Sequence, residues 1–417
     1  MSLNSTPSPE RIHIGFFGKR NVGKSSVVNA VTSQNLSVVS DVKGTTTDPV
    51  FKAMELLPLG PVTIIDTAGI DDEGELGNLR IEKTKEILRK VDIAVLIVDA
   101  SIGLCDVDKE LIENFKQKSI NYVVAYNKSD LVENYNQTEK NEIYISAKEK
   151  KNIYELKELI ATLLPEKVKQ PLLADVVLKN QKVILVTPID SSAPKGRLIL
   201  PQQQVIRELL EIGAITTVVQ IDELKNAIDI INPDLVITDS QVFNKVKVII
   251  PENILLTSFS IIFARYKGIL KTAVGGVKHL DSLKDGDTIL ISEGCTHHRQ
   301  CEDIGTVKLP KWIKEYTKKE LNFEFTSGIE FPKTLDKYSM IIHCGGCTLN
   351  DREVLYRYNQ ATEQNISISN YGITIAYING ILKKSVELFS DISKLLWCML
   401  SNVTYKNSEN SCNNRGF

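Results

Sequence analysis

Residues 18–25 read GKRNVGKS, and this stretch decides the fold of the first third of the chain. A β-rich run, Ile12 to Phe17, precedes it, and an apolar stretch with helical periodicity follows it. The order is therefore strand, loop and helix. Glycines in such a loop leave backbone N–H groups open to phosphate oxygens, and Lys24 can neutralise the phosphate charge. The stretch predicts a phosphate-binding loop at the end of a strand in a parallel sheet.

Further motifs stand at the ends of later predicted strands. The carboxylate of Asp66, in the run DTAG, can reach a Mg2+ ion beside the hydroxyl of Ser25, and the N–H of Gly69 can reach the γ-phosphate. In the run NKSD, residues 127–130, the carboxylate of Asp130 can pair with the N–H groups on the Watson–Crick edge of guanine, which adenine cannot match. These motifs predict binding of GTP and GDP with Mg2+.

The predicted nucleotide site gathers the loop, the two later motifs and the run SAK at residues 146–148, which completes the base pocket. Its expected members are Gly18, Asn21, Val22, Gly23, Lys24, Ser25, Ser26, Asp66, Gly69, Asn127, Lys128, Asp130, Ser146, Ala147 and Lys148.

These motifs resemble those of the Era and TrmE type of translation-factor-related GTPases, over about the first 165 residues. The resemblance implies that Thr46, in the run GTTTD, is the second protein ligand of Mg2+, and that Lys24, Thr46, Asp66 and Gly69 serve hydrolysis. Ile70 stands where Ras-like enzymes carry a glutamine, so hydrolysis is organised otherwise. Asn21 stands where potassium-activated members bind K+, although an asparagine there also suits a left-handed backbone.

The rest of the chain again alternates β-rich runs with amphipathic helical runs, which predicts parallel sheets covered by helices. We expect an α/β protein in which a P-loop GTPase domain precedes two further α/β domains with mainly parallel sheets. The expected domains are 1–168, with a short N-terminal arm, then 172–264 and 265–400. Residues 401–417 are polar and asparagine-rich, which predicts a disordered tail.

Seven cysteines are present, and four of them lie between residues 295 and 347, which is not a disulfide framework. Two groups stand out, CTH at residues 295–297 and HCGGC at residues 343–347. Predicted strands run into both groups, so both should lie at the carboxyl ends of strands. Thiolates and imidazoles at this spacing suit zinc, an iron-sulfur cluster or a redox dithiol, and the residues alone leave the three open.

The two groups and the domain order closely resemble the HydF family, the GTPase maturation factors of iron-iron hydrogenases, over nearly the whole chain. The resemblance implies that Cys295, Cys344 and Cys347 bind a four-iron, four-sulfur (4Fe-4S) cluster. Three thiolates leave one iron open, for which His343 and His297 are possible ligands. Cys301 lies outside the signature and is more typical of a buried thiol, with an alternative cluster ligand as the other interpretation.

The same resemblance implies a scaffold and carrier with slow, potassium-activated GTP hydrolysis. The carrier would accept a di-iron precursor made with two radical-SAM maturases and deliver it to an iron-iron hydrogenase that lacks its di-iron unit. The second domain would form a homodimer, and a tetramer is a further possibility. GTP would then time the association of partners through its switch loops.

The net charge of −2 and the pI near 6.3 argue against nucleic acid and anionic membrane as partners. The N-terminus lacks the pattern of a signal peptide, and no stretch is apolar enough to span a bilayer, so a cytoplasmic location is expected. Two rival functions remain at this point. One is an RNA-modifying GTPase of the TrmE type, and the other is a zinc-stabilised signalling GTPase.

Overall fold

The computed structural model describes residues 7–33, 49–67, 69, 84, 86–133, 139–164, 170–189, 198–294, 303–328 and 330–400. Several predicted features lie outside these ranges: the run at 44–48 with Thr46, Ile70, the tail, and Cys295, His297 and Cys301. Within the ranges, no helix is both long and apolar enough to cross a membrane.

The chain divides into two compact units, and each is described by itself. One comprises Met1–Val168 with Asn350–Glu353, and the other comprises Lys169–Leu349 with Val354–Phe417. The predicted three-domain division stays a prediction.

The first unit is built on a six-stranded sheet in the order β2-β3-β1-β4-β5-β6. Neighbouring strands are parallel except β2 and β3, which are antiparallel. The strands are β1 (Ile12–Phe17), β2 (Val50–Leu56), β3 (Gly60–Asp66), β4 (Ile93–Asp99), β5 (Asn121–Asn127) and β6 (Glu142–Tyr144). The sheet confirms the predicted α/β class.

Helices cover both faces of this sheet because its central strands are apolar on both sides. All seven residues of β4 are buried. Its residues 93, 95 and 97 pack with α1 (Lys24–Thr32) and α3 (Ile153–Thr162), whereas residues 94, 96 and 98 pack with α2 (Asp106–Gln117). The carboxyl ends of β1, β3 and β5, which carry the three predicted motifs, therefore meet at one sheet edge.

The second unit contains two four-stranded sheets, all of whose neighbouring strands are parallel. Their orders are β10-β9-β7-β8 and β12-β11-β13-β14. The strands are β7 (Lys182–Val186), β8 (Ile215–Val219), β9 (Leu235–Thr238), β10 (Leu255–Ser258), β11 (Thr288–Ser292), β12 (Asn322–Thr326), β13 (Met340–His343) and β14 (Ser367–Asn370). One continuous hydrophobic core serves both sheets.

The helices of this unit pack on and between the two sheets. They are α4 (Leu200–Ile212), α5 (Leu224–Ile231), α6 (Phe243–Ile249), α7 (Phe259–Tyr266), α8 (Leu270–Val277), α9 (Leu309–Thr317), α10 (Asp351–Glu363), α11 (Tyr371–Ile378), α12 (Leu382–Ser385) and α13 (Ser390–Leu400). The first three residues of α10 are assigned to the first unit.

The residue that ends a strand also starts the next helix at two equivalent places. Ser258 ends β10 and is also the N-cap of α7, because its hydroxyl accepts the N–H of Ile261 in the first turn. Asn370 ends β14 and is also the N-cap of α11, because its side chain accepts the N–H of Ile373 in the first turn. Such caps satisfy backbone donors that a helix leaves open at its first turn. The domain boundary predicted between residues 264 and 265 lies inside α7.

Candidate functional site

The phosphate-binding loop has a shape that requires its glycines. Gly18 and Gly23 have φ angles of +146° and +85°. A Cβ atom at Gly18 would lie 2.4 Å from the carbonyl oxygen of Ile97, and one at Gly23 would lie 2.3 Å from Nδ2 of Asn127. Neither position therefore has room for a side chain. The loop leads directly into α1, whose first residue is Lys24.

Asn127 ties three of the predicted motifs together. Its Nδ2 donates to the carbonyl oxygen of Val22 at 2.9 Å, and its Oδ1 accepts the N–H of Ala147 at 3.0 Å. The side chain is buried, so these bonds are shielded from water. Asn127 thus connects the phosphate-binding loop to the base pocket, a role that the sequence analysis did not include.

The carboxylate predicted to read the base, that of Asp130, is held in place by a residue of the next motif. The hydroxyl of Ser146 donates to Oδ1 of Asp130 at 2.7 Å, and this hydrogen bond keeps the pKa of Asp130 below its ordinary value. Asp130 is therefore ionised at neutral pH and can accept the two N–H groups that guanine presents.

Lys128 makes an ion pair that sequence reasoning missed. Its Nζ lies 2.6 Å from Oδ2 of Asp99, the last residue of β4, and Ser101 donates to the other oxygen of that carboxylate. Burial alone would raise the pKa of Asp99, but the hydrogen bonds from Lys128 and Ser101 outweigh it and hold the pKa below its ordinary value. No sequence pattern near Asp99 predicts this contact.

A cavity of 820 Å³ lies between α1 and the base-pocket loops, a volume suited to a small ligand. Its lining includes seven residues that the sequence predicted for the nucleotide: Gly23, Ser26, Asn127, Lys128, Asp130, Ala147 and Lys148. Ser33, Leu131 and Lys150 line it as well and were not predicted.

The phosphate and Mg2+ residues also come together. Nζ of Lys24 lies 3.0 Å from Oδ1 of Asp66, so the lysine predicted to bind phosphate is adjacent to the carboxylate predicted to bind Mg2+. Gly69 packs against the loop, since a Cβ atom on it would lie 3.0 Å from Cα of Arg20. Asn21 is exposed and has a φ of +62°, so its backbone is left-handed.

The second site lies at the carboxyl ends of β11 and β13, where Ser292 is paired in register with His343. Sγ of Cys344 accepts backbone N–H groups from Gly294 at 3.0 Å and from Gly346 at 3.3 Å. The chain continues from Gly294 directly into Cys295, which lies outside the described residues. Two backbone donors aimed at one sulfur stabilise a thiolate over a thiol.

Both cysteines of this loop are free and partly buried. Burial raises the pKa of the Cys344 thiol and of the Cys347 thiol above their ordinary values, and the charge of Lys267 opposes the rise at Cys347. The thiols are therefore protonated at neutral pH, and a metal bound by them would have to displace their protons.

Glycines give the loop its close packing. A Cβ atom on Gly294 would lie 2.7 Å from two side-chain atoms of Leu349, and one on Gly346, whose φ is +61°, would lie 3.0 Å from Val354. The carbonyl oxygen of Gly294 accepts the hydroxyl of Thr348 at 2.8 Å. By contrast, a Cβ atom on Gly345 would meet no atom of the described residues within 4 Å.

His343 is fully buried, and both of its ring nitrogens are engaged. Nη1 of Arg357 lies 3.2 Å from Nε2, and the carbonyl oxygen of Cys344 lies 2.6 Å from Nδ1. Because a guanidinium can only donate, Nε2 accepts and Nδ1 carries the proton. Burial, followed by the charge of Arg357, lowers the pKa of His343 to about 3, so the ring is neutral.

Among the described residues, no three or more His, Cys, Asp or Glu side chains are grouped to hold a metal. Of the three thiols predicted for the cluster, the structure describes those of Cys344 and Cys347. Cys295 lies outside the described residues. Sequence reasoning missed four residues that shape the loop: Gly294, Thr348, Lys267 and Arg357. Each acts through a contact distant in sequence, which a local motif does not reveal.

Three family models match the chain. The model described as "50S ribosome-binding GTPase" matches residues 13–128. The model described as "Hydrogen maturase F dimerization domain" matches residues 172–268, and the one described as "Hydrogen maturase F tetramerization domain" matches residues 271–388. The last two models together match more than half of the 417 residues.

The curated relatives resemble the first domain. The chain is 39% identical over 127 residues to the GTPase Der of Wolinella succinogenes, which covers 30% of this chain and 27% of that protein. It is 35% identical over 155 residues to the tRNA modification GTPase MnmE of Clostridioides difficile, which covers 35% of this chain and 33% of that protein. The chain thus spans a third or less of the length of these two relatives.

Among solved structures, that of a probable GTP-binding protein engB is 25% identical, covers 37% of this chain and 100% of that chain, and has a TM-score of 0.30. The family match and the geometry of the loop confirm that the first domain is a P-loop GTPase domain for GTP and GDP with Mg2+.

Proposed function

Because the chain belongs to the hydrogen maturase F (HydF) family, we propose that it is a GTP-hydrolysing scaffold for the metal centre of iron-iron hydrogenases. In this proposal it holds a 4Fe-4S cluster and accepts a di-iron precursor made with two radical-SAM maturases. It then delivers the precursor to a hydrogenase that lacks its di-iron unit. The hydrogenase and the maturases are proposed partners.

One observation carries the proposal: the N–H of Gly294 donates to Sγ of Cys344. This bond joins the loop of Cys344 and Cys347 to the residue that directly precedes Cys295 in the sequence. Cys344 and Cys347 are free thiols, and backbone N–H donors to sulfur are a common feature of iron-sulfur sites. The donor set therefore fits a cluster held by Cys295, Cys344 and Cys347.

The proposed cluster supplies one iron that no cysteine binds, where an external ligand can attach. His343 was predicted as a possible ligand of that iron. Ligation through Nε2 would require that atom to leave Arg357, so the geometry favours His343 as a residue that positions the loop through Cys344. His297 stays a prediction.

In the first domain we propose the roles that the motifs and the family resemblance imply. Lys24 neutralises the phosphates, Ser25, Asp66 and Thr46 hold Mg2+, and Asp130 reads guanine. Asn21 binds K+ in this proposal, although its left-handed backbone by itself gives a reason for asparagine. GTP times partner binding if a partner has different affinities for the GTP and GDP states.

Self-association is supported by the matches to dimerization and tetramerization domains. We propose that residues 172–264 form the homodimer, and the element involved is considered below. A cytoplasmic location stays a prediction.

Anaerobic reconstitution with iron and sulfide tests the proposed cluster. We expect the wild type to take up iron and to absorb broadly in the visible range, and we expect Cys344→Ser to lose both properties. Cys105→Ser is the matched control, because Cys105 is another free cysteine in the part of the chain that the structure describes, and it caps α2 of the first unit. Tight binding of zinc without uptake of iron would favour the zinc-stabilised GTPase instead.

A further inference from the structure

Tyr358 is a buried tyrosine of α10, and its hydroxyl group needs an explanation. The residue is 2% exposed, and among the described residues its hydroxyl has no hydrogen-bond partner. By contrast, the hydroxyl of Tyr338, a tyrosine of similar burial in the same unit, donates to Glu324 at 2.7 Å. A buried hydroxyl without a partner costs free energy, because it has given up its hydrogen bonds to water. A bound group that accepts its hydrogen bond would remove this cost.

The face of α10 that carries Tyr358 lies against residues 344–347, which form the cysteine loop. The ring centroid of Tyr358 lies 6.1 Å from that of His343, the residue before this loop. Nη1 of Arg357 lies 3.2 Å from Nε2 of His343, and Val354, one turn earlier, packs against the loop. Positions 354, 357 and 358 share one helix face, because residues three and four apart are neighbours on a helix. Tyr358 is thus buried on the side of α10 that covers the loop.

Among the residues of the loop, Cys344 acts on Tyr358. Burial, followed by the charge of a Cys344 thiolate, raises the pKa of Tyr358 above its ordinary value. The two groups are therefore near each other, since an electrostatic effect weakens with distance. Sγ of Cys344, which already accepts two backbone N–H groups, thus has a buried O–H donor in its surroundings.

Resting on the function proposed above, we propose that Tyr358 is a positioning residue whose hydroxyl donates a hydrogen bond to a sulfur atom of the cluster at Cys344. The bound cluster supplies the partner that the described part of the chain lacks, because cluster sulfur atoms accept hydrogen bonds. Such a bond withdraws negative charge from sulfur, and one-electron reduction of a cluster adds one negative charge, so the bond favours the reduced state. Loss of the hydroxyl therefore makes the reduction potential more negative.

The test compares the full-length wild type with Tyr358→Phe and Tyr338→Phe, each without metal and after anaerobic reconstitution with iron and sulfide. Both substitutions remove one hydroxyl from a buried ring. Tyr338 is the matched control because it precedes β13, whereas Cys344 follows the other end of that strand. The measurements are the urea midpoint of the metal-free protein, the midpoint potential from a redox titration followed by electron paramagnetic resonance, and the rate of iron loss to a chelator.

We expect metal-free Tyr358→Phe to be at least as stable as the wild type, because the described residues give its hydroxyl no hydrogen bond to lose. After reconstitution it should have a more negative midpoint potential than the wild type and lose iron severalfold faster. Tyr338→Phe should show the opposite pattern, a lower urea midpoint with the wild-type potential, because its bond to Glu324 is lost. A stable metal-free Tyr358→Phe that takes up no cluster would also support the inference.

An unchanged potential in reconstituted Tyr358→Phe overturns the inference, and it is the result expected if the hydroxyl binds a buried water molecule instead. A urea midpoint lowered as much as in Tyr338→Phe also overturns it, because the hydroxyl would then have a partner in the metal-free fold. A wild type that takes up no iron-sulfur cluster would overturn the proposed function together with the inference. A reconstituted wild type with an unaffected Tyr358→Phe would overturn the inference alone.

Discussion

At the scale of single residues, Gly294 holds the cysteine loop through both of its backbone polar groups. Its N–H donates to Sγ of Cys344 and its carbonyl oxygen accepts the hydroxyl of Thr348. Leu349 fills the space where a side chain would stand. The loop therefore requires a glycine at this position, because there is no room for a side chain, and the backbone of this glycine makes two of the hydrogen bonds that hold the loop.

Gly294→Ala is expected to destabilise the second unit by about 1–3 kcal/mol, because the new methyl group overlaps Leu349 in a packed region. Urea unfolding of the metal-free protein measures this, and iron uptake should fall as well. Gly345→Ala is the matched control, since its Cβ atom meets no described atom within 4 Å. If both variants were equally stable, Gly294 would not have the role given to it.

A substitution at Asn21 can distinguish the two explanations for this asparagine, binding of K+ by its side chain and tolerance of a left-handed backbone. Asn21→Gly keeps a residue that accepts a φ of +62° but removes the side-chain amide. We expect wild-type GTP hydrolysis to be several times faster in KCl than in NaCl, and we expect Asn21→Gly to lose that difference. Steady-state phosphate release in the two salts measures it. A variant that still responds to K+ would restrict Asn21 to its backbone role.

Motif residues were predictable individually because their chemistry depends on short spacing along the chain. Lys24, Asp66, Asp130, Cys344 and Cys347 are of this kind. Their partners were not predictable, because Asp99, Gly294 and Lys267 reach the sites from distant elements. A lone aspartate or lysine in a sequence does not indicate where the fold will place it.

At the scale of secondary structure, short apolar runs predicted most strands, whereas the edge strands β2 and β12 were missed. β1 matches its predicted limits, since a short apolar run bounded by polar residues marks a buried strand. β2 was missed because its first four residues are exposed and it has no apolar run of that kind. β12 is another missed edge strand, because three of its five residues are exposed and the other two are only half-buried.

The edge strand β8 is the element we propose for the homodimer. Its sequence ITTVV contains no lysine, no proline and no other charge, and Ile215 and Val218 are exposed. Edge strands usually carry lysine, proline or other charged residues, because these residues prevent the open backbone groups from pairing with another chain. β8 lacks this protection. β8 pairs with β7 on one side, and the described residues place no strand on its other side.

Val218→Lys should therefore convert the dimer to a monomer, because the charge would be buried in the paired edge. Light scattering after gel filtration gives the mass. Val248→Lys is the control, since Val248 is 80% exposed and lies on α6 rather than on β8. A dimer that survives Val218→Lys but not Val248→Lys would place the interface on α6 instead.

At the scale of the whole molecule, two chemistries occupy different compact units. The nucleotide residues of the described chain lie in the first unit, and Cys344, Cys347 and Lys267 lie in the second. The order of these units was predictable from the order of the motifs. The hydrophobic core that the two sheets of the second unit share was not predictable. Each βαβ series in the sequence is equally compatible with a core of its own.

The central claim is that this chain carries a di-iron precursor on a cysteine-bound cluster and passes it on. The most direct test incubates the loaded protein with an iron-iron hydrogenase that lacks its di-iron unit and measures hydrogen evolution. We predict strong activation by the loaded wild type and none by a Cys347→Ser variant treated in the same way. Hydrogen evolution no greater with the loaded wild type than with buffer would contradict the account.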